Sequence, residues 1–167
     1  MGEPDVRVTN SLLDRLLDFE PGVTREPVPS RADTVQAFRQ AVLRDLEHLL
    51  NSKNPHHDLP QGFVEASRSV LTYGLVDLSS IGGTTEAHQL RLAQLVEQAI
   101  RTFEPRLAGV IVTPVEKAAG SNPSRAAIGA ARFRVEGRLL LEPHAEPISF
   151  DFDRADADQE WKIRDAG

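Results

Sequence analysis

The N-terminal segment of the chain combines a short apolar cluster with a stretch rich in proline. Potential capping residues end at Ser11, and leucines at helical spacing follow directly, namely Leu12, Leu13, Leu16 and Leu17. This pattern predicts about two helical turns, which are too short to be stable unless they pack on another surface. That surface is either the chain's own domain or a partner. Residues 18–32 contain three prolines and predict an extended linker, so residues 1–32 are expected to form an arm.

Two longer segments show a clear period of 3.6 residues. The first is expected to begin with Asp33 as its N-cap, and its apolar face comprises Val35, Phe38, Val42, Leu46 and Leu49, widened by Leu43 and Leu50. The second is expected to follow Thr84 or Thr85 and to stop before Pro105, with an apolar face comprising Leu92, Val96, Ile100 and Phe103. Residues 65–72, between the two, predict a short helix.

After Pro105 the apolar positions alternate with a period of two, which is typical of strands that are buried on one face. Such segments are residues 107–115, residues 127–141, a strand at residues 147–153 and a short edge strand with Trp161 and Ile163. The element order predicts an α+β fold, with N-terminal helices packed on one face of a small antiparallel β-sheet, a meander, in the C-terminal half. Residues 33–167 are expected to be a single domain of this kind.

Composition narrows the classes of function. Of 167 residues, 40% are hydrophobic and 26% are charged, which is typical of a globular chain. Nineteen basic residues stand against 25 acidic ones, and the net charge of −6 disfavours nucleic acid as a partner. The chain has no cysteine, which excludes disulfides, zinc thiolates and a thiol nucleophile. No secretory signal or stretch of about 18 apolar residues is present, so a cytoplasmic protein without membrane insertion is expected.

Candidate catalytic and metal-binding residues are few. His56, His57 and Asp58 are adjacent in a polar loop and their side chains diverge, so no metal site is expected. No phosphate loop or nucleophile elbow occurs, and no cofactor is expected. A glycosidase needs two carboxylates, one of them protonated. Glu104 is the best candidate for the acid, but Arg106 beside it favours the ionised form and no second carboxylate stands out.

The segment Glu104-Pro105-Arg106-Leu107 is the most unusual feature of the sequence, because a glutamate and an arginine flank a rigid proline where the last helix meets the first strand. One interpretation is a local ion pair that fixes this corner. The other is a stiff, charged corner that docks into a partner. As an exposed ion pair, Glu104 and Arg106 are expected to matter for docking and not for folding.

With the preceding Phe103, this segment resembles the Glu-Pro-Arg signature of the TssE family. These proteins are baseplate components of bacterial type VI secretion systems and are similar to a tail-baseplate wedge protein of contractile phages. Residues 11–16, 45–51 and 69–75 resemble further motifs of the family in the same order, with Thr72 and Val76 where asparagine and proline are common. The matching segments span residues 11–107.

The resemblance implies a structural role and no enzymatic activity. TssE-like proteins join TssF, TssG and TssK in the baseplate wedge at the inner membrane, where the sheath of TssB and TssC begins to polymerise. Docking onto TssF–TssG is then expected through two sets of residues, namely Glu104, Pro105, Arg106 and Leu107 at the corner and Leu12, Leu13, Leu16 and Leu17 in the arm. The alternative is a peptidoglycan hydrolase with Glu104 as the general acid.

The C-terminal strands predict a second surface, an open sheet edge that pairs with a strand of TssB or TssC. The acidic residues beyond Phe152 would restrict pairing to a complementary partner. The expected sheath-facing edge strand comprises Ile148, Phe150, Phe152, Trp161, Lys162 and Ile163. Proline at Lys162 is expected to remove one N–H donor from the outermost element. The alternative is that Trp161 and Ile163 only cover the core.

Overall fold

Four strands form one antiparallel sheet, in which neighbours in the sequence are neighbours in space. A computed structural model describes residues 11–16, 21–22, 30–56, 59, 62–76, 85–115, 132–142, 144–154 and 160–165. The strands are β1 (Leu107–Pro114), β2 (Arg132–Leu139), β3 (Glu146–Arg154) and β4 (Trp161–Asp165). The helices before them are α1 (Leu12–Leu16), α2 (Arg31–Asn51) and α3 (Glu86–Phe103). The predicted α+β meander is confirmed.

Helix α2 begins three residues before the expected position. The Ser30 hydroxyl accepts a hydrogen bond from the Asp33 backbone N–H at 3.2 Å, and the Asp33 carboxylate accepts one from the Ser30 N–H at 3.1 Å. Asp33 is therefore the third helical residue of a capping box and not the cap itself. The predicted apolar face is confirmed, and the residues that it buries are Phe38, Ala41, Val42, Leu43, Leu46, Leu49 and Leu50.

The expected helix over residues 65–72 is wrong. This segment forms two short 3₁₀ turns, Ala66–Arg68 and Val70–Thr72. Ser69 separates them because its backbone is extended and its hydroxyl accepts a hydrogen bond from the Leu71 N–H at 3.3 Å. A serine that bonds nearby backbone in this way competes with continuous helical hydrogen bonding.

The core lies between the sheet and the two long helices. Phe133, Phe152 and Trp161 form an aromatic cluster from three strands, with ring centroids 5.1–5.9 Å apart. On the opposite face of β2, Arg132, Arg134, Glu136 and Arg138 are exposed, as the alternation predicted. Residues 127–131, which were assigned to the same strand, lie outside the described residues. One face of the sheet therefore carries the helices and the other carries charge.

Gly74 allows Leu75 to lie against residues 52–54, which directly follow α2. The Leu75 N–H donates to the Ser52 carbonyl and the Asn54 N–H donates to the Leu75 carbonyl, both at 2.8 Å. Gly74 has a φ of +109°, and a Cβ atom there would lie 2.4 Å from the Ser52 carbonyl oxygen. Only glycine fits both the backbone conformation and the space.

Replacing Gly74 with alanine is expected to lower the free energy of unfolding by about 2 kcal/mol or more, because the added methyl group meets backbone and the positive φ is strained. Urea unfolding measures the change. Gly62→Ala is the matched control, since a Cβ atom at Gly62 meets nothing within 4 Å. Equal free energies of unfolding for the two variants would show that the close approach at Gly74 does not contribute to stability.

Candidate functional site

The Glu-Pro-Arg segment forms a sharp corner between α3 and β1. The Glu104 N–H donates the last helical hydrogen bond to the Ile100 carbonyl at 2.8 Å, and the Leu107 N–H donates to the Glu104 carbonyl at 3.2 Å. Pro105 is exposed within this turn, whereas Leu107 is buried as the first residue of β1. Only part of the expected docking segment therefore reaches the surface.

Glu104 is buried inside the corner, with 4% of its surface exposed. Its Oε1 atom accepts hydrogen bonds from the Arg106 backbone N–H at 3.1 Å and from Nε at 2.7 Å, and Oε2 accepts one from the same guanidinium. Arg106 also donates to the Asp45 carboxylate at 2.7 Å and lies 5.8 Å from the centre of the Phe38 ring. The expectation of an exposed ion pair is wrong, because the Glu104 carboxylate at the centre of the corner is buried and bonded on both oxygens. We therefore expect the pair to matter for folding as well.

The ion pair continues from the corner to the N-terminal arm. The Arg44 guanidinium donates to the second oxygen of Asp45 at 2.9 Å and bonds Asp14 of α1 at 2.7 Å. Asp14, Arg44, Asp45, Arg106 and Glu104 thus alternate in charge, and we refer to them as the ion-pair chain. It connects the arm, the middle of α2 and the corner, which lie far apart in the sequence.

Hydrogen bonds favour the charged forms of Asp14 and Arg106 in the ion-pair chain. A hydrogen bond from Ser11, together with Arg44, lowers the pKa of Asp14. Because this pKa is lower in the folded protein, Asp14 contributes stability above about pH 4, and the contribution is lost as the pH falls through the folded value. Hydrogen bonds to Glu104, and then to Asp45, raise the pKa of Arg106. Hydrogen bonds to Asp14, and then to Asp45, likewise raise the pKa of Arg44.

The arm contacts the domain through Asp14 and turns leucines outward. Leu12 is 75% exposed and Leu16 is 81% exposed, although both belong to the predicted apolar stripe. The Leu13 side chain and Leu17 lie outside the described residues. The described part of the arm thus has a polar contact with the domain and two large apolar side chains exposed to solvent.

Strand β4 is the edge of the sheet at its C-terminal side. The Asn51 amide at the end of α2 accepts from the Trp161 N–H at 2.8 Å and donates to the Trp161 carbonyl at 3.0 Å, so this backbone faces away from β3. Because backbone direction alternates along an antiparallel strand, Lys162 and Arg164 pair with β3 while Ile163 and Asp165 face outward.

This alternation corrects two expectations about the edge. Phe150 and Phe152 lie in the part of β3 that pairs with both β2 and β4, so they are not on an edge. Ile148 also lies on β3 and pairs with Gly137 of β2, but the ladder with β4 begins only at Phe150. Proline at Lys162 would remove a donor of the β3–β4 ladder and not an outward one. Trp161 does cover the core, at 3% exposure, but its strand also leaves two outward-facing residues beyond it.

Metal binding, acid catalysis and membrane insertion each require particular features of the described residues. Among them, no group of three histidines, cysteines or carboxylates could hold a metal ion. Both Glu104 oxygens accept hydrogen bonds from Arg106. Within the same part of the chain, no helix is long and apolar enough to cross a bilayer. His57 and Asp58 lie outside the described residues.

The most important contacts of the site were not predicted. Arg44 and Asp45 received no role of their own, and Asn51 appeared only as the last residue of a motif. Their common signal is a polar side chain at the margin or the end of the apolar face of α2, where Arg44 and Asp45 are half-buried and Asn51 is exposed. That signal identifies a contact but does not name its partner.

The fold and the site are those of a small structural domain. The charged residues of its ion-pair chain bond one another and connect α1, α2 and the corner. Comparison with known protein families makes this more specific, because the model of the family "baseplate wedge protein gp25" matches residues 36–144, well over half of the chain. The chain belongs to this family and is a component of a phage-tail-like baseplate. The resemblance inferred from the Glu-Pro-Arg segment is confirmed. No curated protein matches the chain.

Substituting Arg106 with alanine is expected to lower the free energy of unfolding by roughly 3 kcal/mol, because it leaves the buried Glu104 without its cation. Chemical denaturation at pH 7 measures the loss. Arg134→Ala is the control, since Arg134 forms a bidentate pair with Asp151 on the exposed face of the sheet and should matter little. Similar small losses for both variants would contradict a structural role for the corner.

Proposed function

We propose that this protein is a subunit of a type VI secretion baseplate at the cytoplasmic face of the inner membrane. It docks onto the TssF–TssG wedge, in a complex with TssK, and helps to start the TssB–TssC sheath by accepting one strand at β4. The observation that carries the proposal is the outward-facing backbone of Ile163 and Asp165 in a chain of the baseplate wedge family. A sheet edge of this kind binds an extended segment through main-chain hydrogen bonds.

The docking surface consists of the outward parts of the arm and the corner. Leu12 and Leu16 supply exposed apolar area, and Pro105 with the exposed part of Arg106 supplies a stiff, charged contact. Glu104 and Leu107 act from within by fixing the turn. The ion-pair chain connects the two halves of this surface, which favours binding as one preformed unit, since little order remains to be imposed on association.

The sheath-facing edge has a defined register. Asn51 occupies the outward N–H and C=O of Trp161, so an incoming strand pairs at Ile163 and Asp165 and ends its ladder at the Asn51 amide. Beside this edge Lys162 pairs with Glu47 and Glu160, and Arg164 pairs with Asp153, so charges of both signs restrict pairing to a complementary partner strand. The same charges discourage indiscriminate pairing with apolar strands.

The proposal includes no enzymatic activity. The hydrolase alternative required Glu104 to be a general acid open to a sugar, but it is buried and bonded on both oxygens. A glycosidase also needs a second carboxylate about 5–10 Å away across a cleft. The carboxylate that the corner contacts, Asp45, is itself bonded to Arg44 and Arg106.

Changing Leu12 and Leu16 to serine is expected to weaken co-purification with TssF–TssG at least tenfold while leaving the melting temperature unchanged, because both side chains are exposed. The double variant Leu90→Ser/Ile111→Ser is the matched control, since those residues are also exposed but lie on α3 and β1. Two outcomes would contradict docking through the arm. Either the Leu12/Leu16 variant binds TssF–TssG as well as the wild type, or the control variant loses as much binding as the Leu12/Leu16 variant.

Proline at Ile163 is expected to abolish sheath foci in cells, because it removes an outward N–H at the centre of the open edge. Ile163→Ala controls for the lost side chain and should support normal foci. Lys162→Pro should instead lower the melting temperature, since that N–H belongs to the β3 ladder. If Ile163→Pro folds, binds TssF–TssG and still forms sheath at normal frequency, β4 does not accept the sheath strand.

A further inference from the structure

The opposite edge of the sheet, strand β1, has its own side-chain cover. The Arg101 guanidinium of α3 donates to the Val110 carbonyl at 2.7 and 3.2 Å, and the Glu97 carboxylate accepts from the Val112 N–H at 3.1 Å. Glu97 and Arg101 also pair with each other at 2.8 Å, one helical turn apart. We refer to these two residues as the edge clamp.

The groups that the edge clamp occupies are those that another strand would use. The Val115 N–H donates to the Arg132 carbonyl across the β1–β2 ladder, so the alternation turns Thr113 and Ile111 toward β2 and turns Val112 and Val110 outward. Pro114, the next outward position, has no N–H. The middle of the β1 edge is thus bonded by a carboxylate and a guanidinium, which mimic the acceptor and donor of a neighbouring strand.

The two edges of the sheet differ in what they leave open. At β4, Asn51 covers only Trp161, and no side chain of a described residue bonds the outward groups of Ile163 or Asp165. At β1, the cover lies at the centre of the strand, where pairing would have to begin. Both edges are bonded by polar side chains from a helix. At β4, however, the outward groups of Ile163 and Asp165 lie beyond the residue that Asn51 bonds.

We propose that Glu97 and Arg101 make strand addition one-sided, so that the sheet accepts a strand at β4 and rejects one at β1. This inference rests on the proposed function of β4 as an acceptor. The species that the edge clamp excludes is a second copy of this chain, whose β1 would otherwise pair with β1 in an antiparallel, two-fold symmetric arrangement. If both edges were open, β1 and β4 could each pair with another chain, and sheets could join side by side. With only β4 open, the sheet accepts one strand and pairing stops there.

The test uses the full chain alone, without sheath or wedge proteins. Glu97→Ala/Arg101→Ala is expected to self-associate with increasing concentration in size-exclusion chromatography with light scattering, beyond the state of the wild type. The charge-matched control Glu86→Ala/Arg91→Ala changes exposed residues of the same helix and should behave as the wild type. Adding Val112→Pro to the edge-clamp variant should reverse the association, because it removes the outward donor of β1. Adding Ile163→Pro should not.

Amide hydrogen exchange of the single variant Glu97→Ala, at low concentration, gives a second readout that does not depend on association. The Val112 N–H is expected to exchange about tenfold faster than in the wild type, because it loses a charged acceptor. An unchanged Val112 exchange rate, or a constant mass of the double variant at all concentrations, would overturn the proposal. Association that Ile163→Pro reverses and Val112→Pro does not would also overturn it. None of these outcomes depends on whether β4 binds the sheath.

Discussion

The guanidinium of Arg106 is the contact on which the arrangement of this molecule depends. It bonds the buried Glu104, reaches Asp45 on α2 and lies near the ring of Phe38. A buried carboxylate is tolerated only with such a partner, so the corner cannot open without a large cost in free energy. Since the corner sets where β1 begins, and α2 carries Asn51 to β4, this cation fixes both ends of the sheet relative to the helices.

Much of the fold could be predicted from the sequence because its elements have strong periodicity. The apolar faces of α2 and α3 and the alternation around Phe133 and Phe152 each require one type of element. Predictions failed where a single polar side chain decides the local backbone. Ser30 and Asp33 are both good N-caps, and their reciprocal bonding in three dimensions makes Ser30 the cap. Ser69 similarly divides an apolar segment into two 3₁₀ turns.

The sequence motif located the candidate site, but it did not predict which residues contact one another there. The bond between Arg106 and Asp45 joins residues 61 positions apart, and Asn51 meets Trp161 across 110 positions. No local pattern encodes such contacts, because their partners are set by the packing of α2 on the corner and on β4. The same holds for Glu97 and Arg101, which have the spacing of an ordinary i,i+4 surface pair until β1 lies beside them.

The Asn51 amide also has a mechanical consequence. Tension along a strand joined to β4 acts parallel to that strand, so the hydrogen bonds to β3 are loaded in shear and share the force, instead of breaking one by one as in peeling. Asn51 adds an anchor at the first residue of β4 and passes part of the force into α2, a rod of 21 residues with seven buried side chains. The load path from the sheet edge therefore continues into the helix that covers the core.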